Sequence, residues 1–195
     1  ALAEKTFVEN HKNLIHVSIH AGVGAGIILD HHLYTGLTGT AGEAGHMIVQ
    51  PGGRSCPCGN HGCLEQYISE PAVLSRYREL SGRTTVSIDD LVWAYNQKEN
   101  AALTVTDGFT TYLACGINNL WNLFSPECII LNSQLTAYLP QLLPEILQKL
   151  SPRFRATCHL KLSTLQDTGV LLGAARVCIS KYLGTEKLYF SGLQP

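Results

Sequence analysis

The chain has 195 residues, enough for one domain with a sizeable buried core. Its 14 Lys and Arg against 15 Asp and Glu give a formal charge of −1, so no basic stripe can neutralise a run of phosphates, which excludes direct nucleic-acid binding. Apolar residues make up 45% and charged residues only 15%, which excludes disorder and predicts a surface partly covered by another domain or subunit. No apolar run approaches the ~20 residues of a membrane span. The opening Ala1-Leu2-Ala3-Glu4-Lys5 has neither an initiator Met nor a signal-peptide pattern, so a cytoplasmic protein cut from a longer chain is expected.

Leu14, Ile15, Val17 and Ile19 interleave with His16 and Ser18 in the period-2 pattern of a strand. Gly22, Gly24 and Gly26 follow as a glycine-rich bend, 27–29 reads as a second strand, and a third begins at Leu33 and Tyr34, giving an antiparallel meander. Residues 101–124 are apolar at helical spacing, and Pro126 stops them. Beyond them, 128–131 reads as a short buried strand and 138–150 as a helix broken or kinked near Pro140 and Pro144. Residues 160–165 read as a strand and 169–182 as a final helix, with Gly184 as its stop. This order, with a stretch inserted from about 42 to 100, predicts an α/β fold of ribonuclease H-like layout, a mixed sheet with helices on its faces. The apolar face of the last helix, with Val170, Leu171, Ala174, Val177 and Cys178, is expected to pack on a missing lobe or, failing that, on a second copy.

Seven cysteines is an odd number, and Cys56, Cys58 and Cys63 fall within eight residues, a metal-binding pattern rather than a disulfide framework. Gly59 and Gly62 let the loop fold back so that the sulfurs converge, and a closed zinc site needs a fourth ligand. Two histidines compete: His61 inside the loop, and His46 ten residues before Cys56. The tight ring between Cys58 and Cys63 leans the choice to His46. Cys115, Cys128 and Cys178 lie in apolar stretches and read as small buried hydrophobes. Glu43 precedes His46 in Gly42-Glu43-Ala44-Gly45-His46, and Glu65 comes two residues after Cys63. Two carboxylates beside a metal-held imidazole suit paired contacts with the vicinal hydroxyls of a sugar. Each Glu reads equally as an exposed charge or a helix-start residue.

Gly22-Val23-Gly24-Ala25-Gly26, Gly42-Glu43-Ala44-Gly45-His46 and the run from Cys56 to Glu65 resemble the ROK family of bacterial repressors, open reading frames and sugar kinases. Asn119-Leu120-Trp121-Asn122-Leu123-Phe124-Ser125-Pro126 and Gly173-Ala174-Ala175 extend the resemblance over most of the chain. It implies an actin-like pair of ribonuclease H-like lobes. Residues 1–195 would be the C-terminal lobe, with a zinc loop inserted at about 42–65 and helices at about 66–98. It implies zinc on His46, Cys56, Cys58 and Cys63, choosing His46 over His61, and a sugar on Glu43, His46 and Glu65. The family's first lobe, with its phosphate loop and catalytic Asp segment, is expected outside this chain, as is the winged helix-turn-helix of its repressors. The chain alone is then implied to have no catalytic residues and to reach DNA only through that absent domain.

Kinase members carry G-T-G-x-G-x-G on a second phosphate loop, where backbone amides cradle phosphate. Here His20 and Ala21 replace the first Gly and the Thr ahead of Gly22, Gly24 and Gly26, and Asn132-Ser133 replace a Gly-Gly pair. The resemblance thus implies a degenerate phosphate loop and lost ATP binding, as in the sugar-responsive, NagC-like repressors. The expected function is the oligomerisation lobe of a zinc-containing transcriptional regulator that binds a sugar or sugar phosphate and forms a homo-oligomer such as a dimer, with no membrane partner. The alternative is a fragment of an ATP-dependent sugar kinase, a glucokinase or N-acetylhexosamine kinase. A third reading is a lobe that mainly presents a partner-binding surface.

Overall fold

The computed structural model describes residues 1–5, 11–165 and 168–184. A short helix α1 (Leu2–Lys5) precedes three strands, β1 (Leu14–Ile19), β2 (Val23–Leu29) and β3 (His32–Tyr34). A single turn at Ala44–His46 and a long loop lead to helices α2 (Glu65–Ile68), α3 (Glu70–Ser81), α4 (Ile88–Asn96) and α5 (Asn100–Phe124). Then come β4 (Cys128–Ser133), α6 (Gln134–Tyr138), α7 (Leu142–Lys149), α8 (Pro152–Thr157), β5 (His159–Leu162) and α9 (Thr168–Leu183). The strands form one mixed sheet in the order β3-β2-β1-β4-β5, with β1 antiparallel to β2 and parallel to β4. It is the α/β arrangement that the order of elements predicts.

Several elements differ from their sequence reading. The second strand starts at Val23, so Gly24 and Gly26 belong to it, paired opposite Ser18 and His16. The ladder with β1 overrides glycine's poor strand propensity, and the bend shrinks to His20-Ala21-Gly22. The helix expected over 138–150 is two helices, separated at Leu139–Gln141 where Pro140 withholds its N–H. Pro144 falls in the first turn of α7, where that N–H has no partner to lose. The strand expected over 160–165 ends at Leu162. Cys128 is buried as expected, but Cys115 of α5 is half-buried, and Cys178 is exposed because α9 buries none of its residues. The α9 residues Val170, Leu171, Ala174, Val177 and Cys178 all face solvent.

The sheet has two unequal faces. On one, Ile15, Val17, Ile129 and Leu131 join Phe109, Leu113 and Ile117 of α5 in the main core. On the other, Leu14, Ile28, Cys128 and Ile130 form a small cluster against Ala1 and Leu2. Because both faces of β1 are covered, its period-2 pattern does not mark an exposed side, and even His16 is buried. The α5 helix, 25 residues and so about 37 Å long, is pinned to α7 by Lys149, whose ammonium donates to Asp107 Oδ1 at 2.6 Å and to Thr110 and Thr111 at 2.8 Å.

The segment after β3 folds back over β2. Ala25 N–H donates to the Gly42 carbonyl at 2.7 Å, and Ala44 N–H donates to the same oxygen at 2.7 Å. Gly42 sits at φ +95°, and a Cβ there would lie 1.9 Å from the Ala25 oxygen, so no other residue fits. Gly42→Ala should therefore cost roughly 2–4 kcal/mol, read as a fall in denaturation midpoint together with faster exchange of the Ala25 amide.

Burial, followed by the nearby N-terminal ammonium and His20, lowers His16 to about 3. The unfolded chain takes up that proton near pH ~6.5 and the folded chain does not, so stability present above this pH is lost as the pH falls. Going from pH 7 to pH 5 should cost about 2 kcal/mol in urea unfolding, and the loss should shrink in His16→Gln.

Candidate functional site

The turn Ala44–His46 is closed by Met47 N–H donating to the Ala44 carbonyl at 3.2 Å, which carries His46 from the β2 surface toward the loop that follows. That loop runs out and back as a narrow ladder. Val49 N–H donates to the Gly62 carbonyl at 2.9 Å, Gly62 N–H to Arg54 at 2.7 Å, and Leu64 N–H to Met47 at 2.8 Å. At its tip Cys56 N–H bonds the Asn60 carbonyl and Gly59 N–H bonds the Cys56 carbonyl, both at 2.9 Å. The loop is fastened to the helices by Arg54, whose guanidinium lies 5.1 Å from the Tyr67 ring and donates to the Gln66 carbonyl at 2.7 Å. Tyr67 in turn stacks on Tyr112 of α5 at 4.1 Å. Leu64, between Cys63 and Glu65, is buried where α5 offers Gly116; a Cβ at 116 would stand 2.6 Å from the Leu64 side chain.

This scaffold brings four donors together. The ligating atoms of His46, Cys56, Cys58 and Cys63 all lie within 4.8 Å of one another. His46 Nδ1 is 3.7 Å from Cys56 Sγ, and Cys58 Sγ is 3.7 Å from Cys63 Sγ. Sulfurs bound ~2.3 Å from a common tetrahedral centre are ~3.8 Å apart, so the spacing fits one ion at the middle. Gln66 Nε2 points at Cys56 Sγ from 3.7 Å, a donor suited to a thiolate. His61, the competing histidine, is exposed and outside the group, its backbone paired across the loop with Ser55. The Asn60 backbone N–H, followed by the Cys56 thiol, brings Cys58 down to about 7, while burial pushes Cys63 up to about 12.

The candidate sugar residues fall in two places. Glu43 is exposed, and its Oε2 lies 3.8 Å from Nε2 of His46, the ring nitrogen turned away from Cys56. Glu65 opens α2 and reaches the β1–β2 turn, where its Oε2 accepts the Val23 N–H at 3.1 Å. Glu43 and His46 are thus neighbours, and Glu65 is tied to the glycine turn. Gly22 lies in that turn, while Gly24 and Gly26 are strand residues.

The turn has a second side. His20 Nδ1 is 3.4 Å from Glu70 Oε1, and Glu70 N–H donates to the His20 carbonyl at 2.9 Å. His20 and Asn132, the two departures from the kinase pattern, line one cavity of about 230 Å³ with Glu70, Ser133, Gln134 and Tyr138. Sequence reasoning missed Glu70. Its only signal was a Glu directly before Pro71, which marks the first turn of a helix and not a site.

The sequence pattern of the ROK family matches residues 1–181. The chain is 34% identical over 194 residues to the xylose repressor of Bacillus spizizenii, covering 96% of this chain and 50% of the repressor. It therefore spans about half the length of the curated relatives it matches. Among solved structures, a ROK family transcriptional regulator homologous to the E. coli MLC protein superposes with a TM-score of 0.75 at 32% identity, covering 89% of this chain and 48% of that one. The ROK hexokinase of Thermus thermophilus superposes with a TM-score of 0.76 at 25% identity, covering 90% of this chain and 60% of that one. No helix among the described residues is long and apolar enough to cross a membrane. With the family pattern running over nearly its whole length and a repressor relative at this identity, the chain belongs to the ROK family.

Proposed function

We propose that this chain is the zinc-bound, sugar-sensing lobe of a cytoplasmic ROK transcriptional regulator of the xylose-repressor type, a homo-oligomer that reaches DNA through a domain elsewhere in the parent protein. The observation that carries this reading is the four-donor cluster with the Glu43 carboxylate at the far nitrogen of the His46 ring; Glu65, two residues after Cys63 and held on the β1–β2 turn, supports it. Relatives twice as long as the chain support assigning a first lobe and a winged helix-turn-helix to the rest of the parent. Within the chain, the zinc loop of about 42–65 and the helices of about 66–98 would be insertions in the C-terminal lobe.

Three sulfurs and one imidazole suit zinc, since hard cations prefer oxygen donors. When bound, zinc keeps the thiols deprotonated and closes the loop as a rigid anchor. His46, whose Nδ1 faces Cys56 Sγ, would hold the ion through that nitrogen and leave Nε2 beside Glu43. Glu43 and Glu65 accept hydrogen bonds from sugar hydroxyls, and His46 fixes their orientation. A sugar held between this lobe and the first contacts the two lobes differently in their open and closed arrangements, so it shifts the population of one over the other and with it the spacing of DNA-reading domains in a dimer.

The kinase reading is disfavoured at the β1–β2 turn. A phosphate there needs backbone N–H groups or cations, and it would meet the Glu70 carboxylate beside His20.

Purified protein should contain about one zinc per chain by mass spectrometry. Cys58→Ser, a change at an exposed donor of the cluster, should weaken zinc binding more than ~10–100-fold, the usual cost of losing an outer-shell partner, and depress the melting temperature. A zinc-free protein with unchanged melting would overturn the metal assignment.

In the parent protein, xylose or another sugar of a monosaccharide panel should weaken binding to the DNA upstream of its own gene, read by fluorescence anisotropy. Glu43→Gln and Glu65→Gln should each reduce the response to sugar about tenfold and leave sugar-free DNA binding intact. Sugar-dependent ATP hydrolysis by the parent would favour the kinase reading instead.

A further inference from the structure

We infer that the cavity at the C-terminal ends of β1 and β4 is a second ligand site, shaped for a small uncharged polyhydroxy molecule and closed to phosphate. None of Glu43, His46 and Glu65 lines it, so it stands apart from the sensing site proposed above.

The place is one where this kind of sheet binds ligands. The parallel strands β1 and β4 are neighbours whose chains part company at their ends: β1 turns back into β2 on one side, and β4 runs on through α6, α7 and α8 to β5 on the other. The crevice outside the carboxyl ends of strands at such a divergence is the usual ligand position in open α/β sheets. At about 230 Å³ the cavity falls below the ~300–1,000 Å³ of clefts for drug-sized ligands, and so takes something smaller than a nucleotide.

Two buried oxygens in its wall have no hydrogen-bond partner, Glu70 Oε1 and Ser133 Oγ. His20 Nδ1 stands 3.4 Å from the Glu70 oxygen without donating a hydrogen bond to it. Ser133 is 4% exposed and occupies the position before α6, yet its hydroxyl does not cap that helix. Buried oxygens left this way are costly, and a ligand that donates to them removes the cost. The carboxylate only accepts, and the Ser133 hydroxyl, the Gln134 amide and the Tyr138 hydroxyl, the last two bonded to each other at 3.4 Å, each donate and accept, so hydroxyl groups match the polar part of the wall. Among the described residues no Lys or Arg lines the cavity, and its one imidazole, His20, already stands against Glu70, so an anion would meet a carboxylate with no cation left to hold it.

The test is a titration of the 15N-labelled chain with erythritol, an open-chain four-carbon polyol, and separately with inorganic phosphate. Erythritol should shift the Glu70 and Ser133 backbone amides and the Gln134 side-chain amide saturably, and phosphate should not. Ser133→Ala should weaken erythritol binding about fivefold without lowering the melting temperature, because the hydroxyl it removes has no partner. The inference is overturned if erythritol gives no saturable shift, as when the cavity holds only water, or if phosphate binds more tightly. It also fails if the shifts are confined to Glu43, His46 and Glu65, which would leave the sensing site standing, or if Ser133→Ala binds erythritol unchanged.

Discussion

A single backbone hydrogen bond, from the Ala25 amide to the Gly42 carbonyl, fixes where His46 stands relative to the sheet. From it a closed circuit of contacts can be followed. β2 seats the 42–46 segment, His46 meets the cysteine loop, and Cys63 leads into Leu64, which is buried against Gly116 of α5. Glu65 then returns to the start by accepting the Val23 N–H at the head of β2. Because the circuit closes, displacing one member strains the others, which is how a loop rich in glycine holds a definite shape. A rigid ring of this kind suits the sensing role proposed for the lobe, since a ligand is best read by groups that do not yield to it.

The fold alone does not separate repressor from kinase. A regulator and a hexokinase superpose on this chain almost equally well, with TM-scores of 0.75 and 0.76. The distinguishing feature proposed for this chain is side-chain chemistry at the β1–β2 turn, where an imidazole and a carboxylate stand against each other. The functional reading therefore rests on particular residues, with the fold as their common scaffold.

Much of this was legible in the sequence because the determining signals are local. The 25-residue helix announces itself by spacing, and Ser125 in the left-handed region ahead of Pro126 ends it. Three cysteines within eight residues announce a cluster. Spacing leans toward His46 over His61, and the geometry that brings His46 to the sulfurs depends on Ala25 of β2, 21 residues away in sequence. Signals that depend on tertiary cover were not legible. Glycines at 24 and 26 read as a bend because nothing local says that β1 will pair with them. Cys178 reads as buried because its neighbours are apolar, whereas burial depends on what packs over α9. Glu70 acquires meaning only when the fold sets it against His20.

The unequal cover of the two sheet faces has a consequence for how the lobe opens. The face toward α5 is held by a broad apolar core, but among the described residues Leu14, Ile28, Cys128 and Ile130 are roofed by Ala1 and Leu2, with α9 contributing no buried residue of its own. Parts of a protein with few buried apolar contacts detach at the least free energy. Thermal fluctuation should thus lift α1 and α9 long before the helical side loosens, baring the same four side chains each time, so that the lobe behaves as a firm slab with a hinged cover.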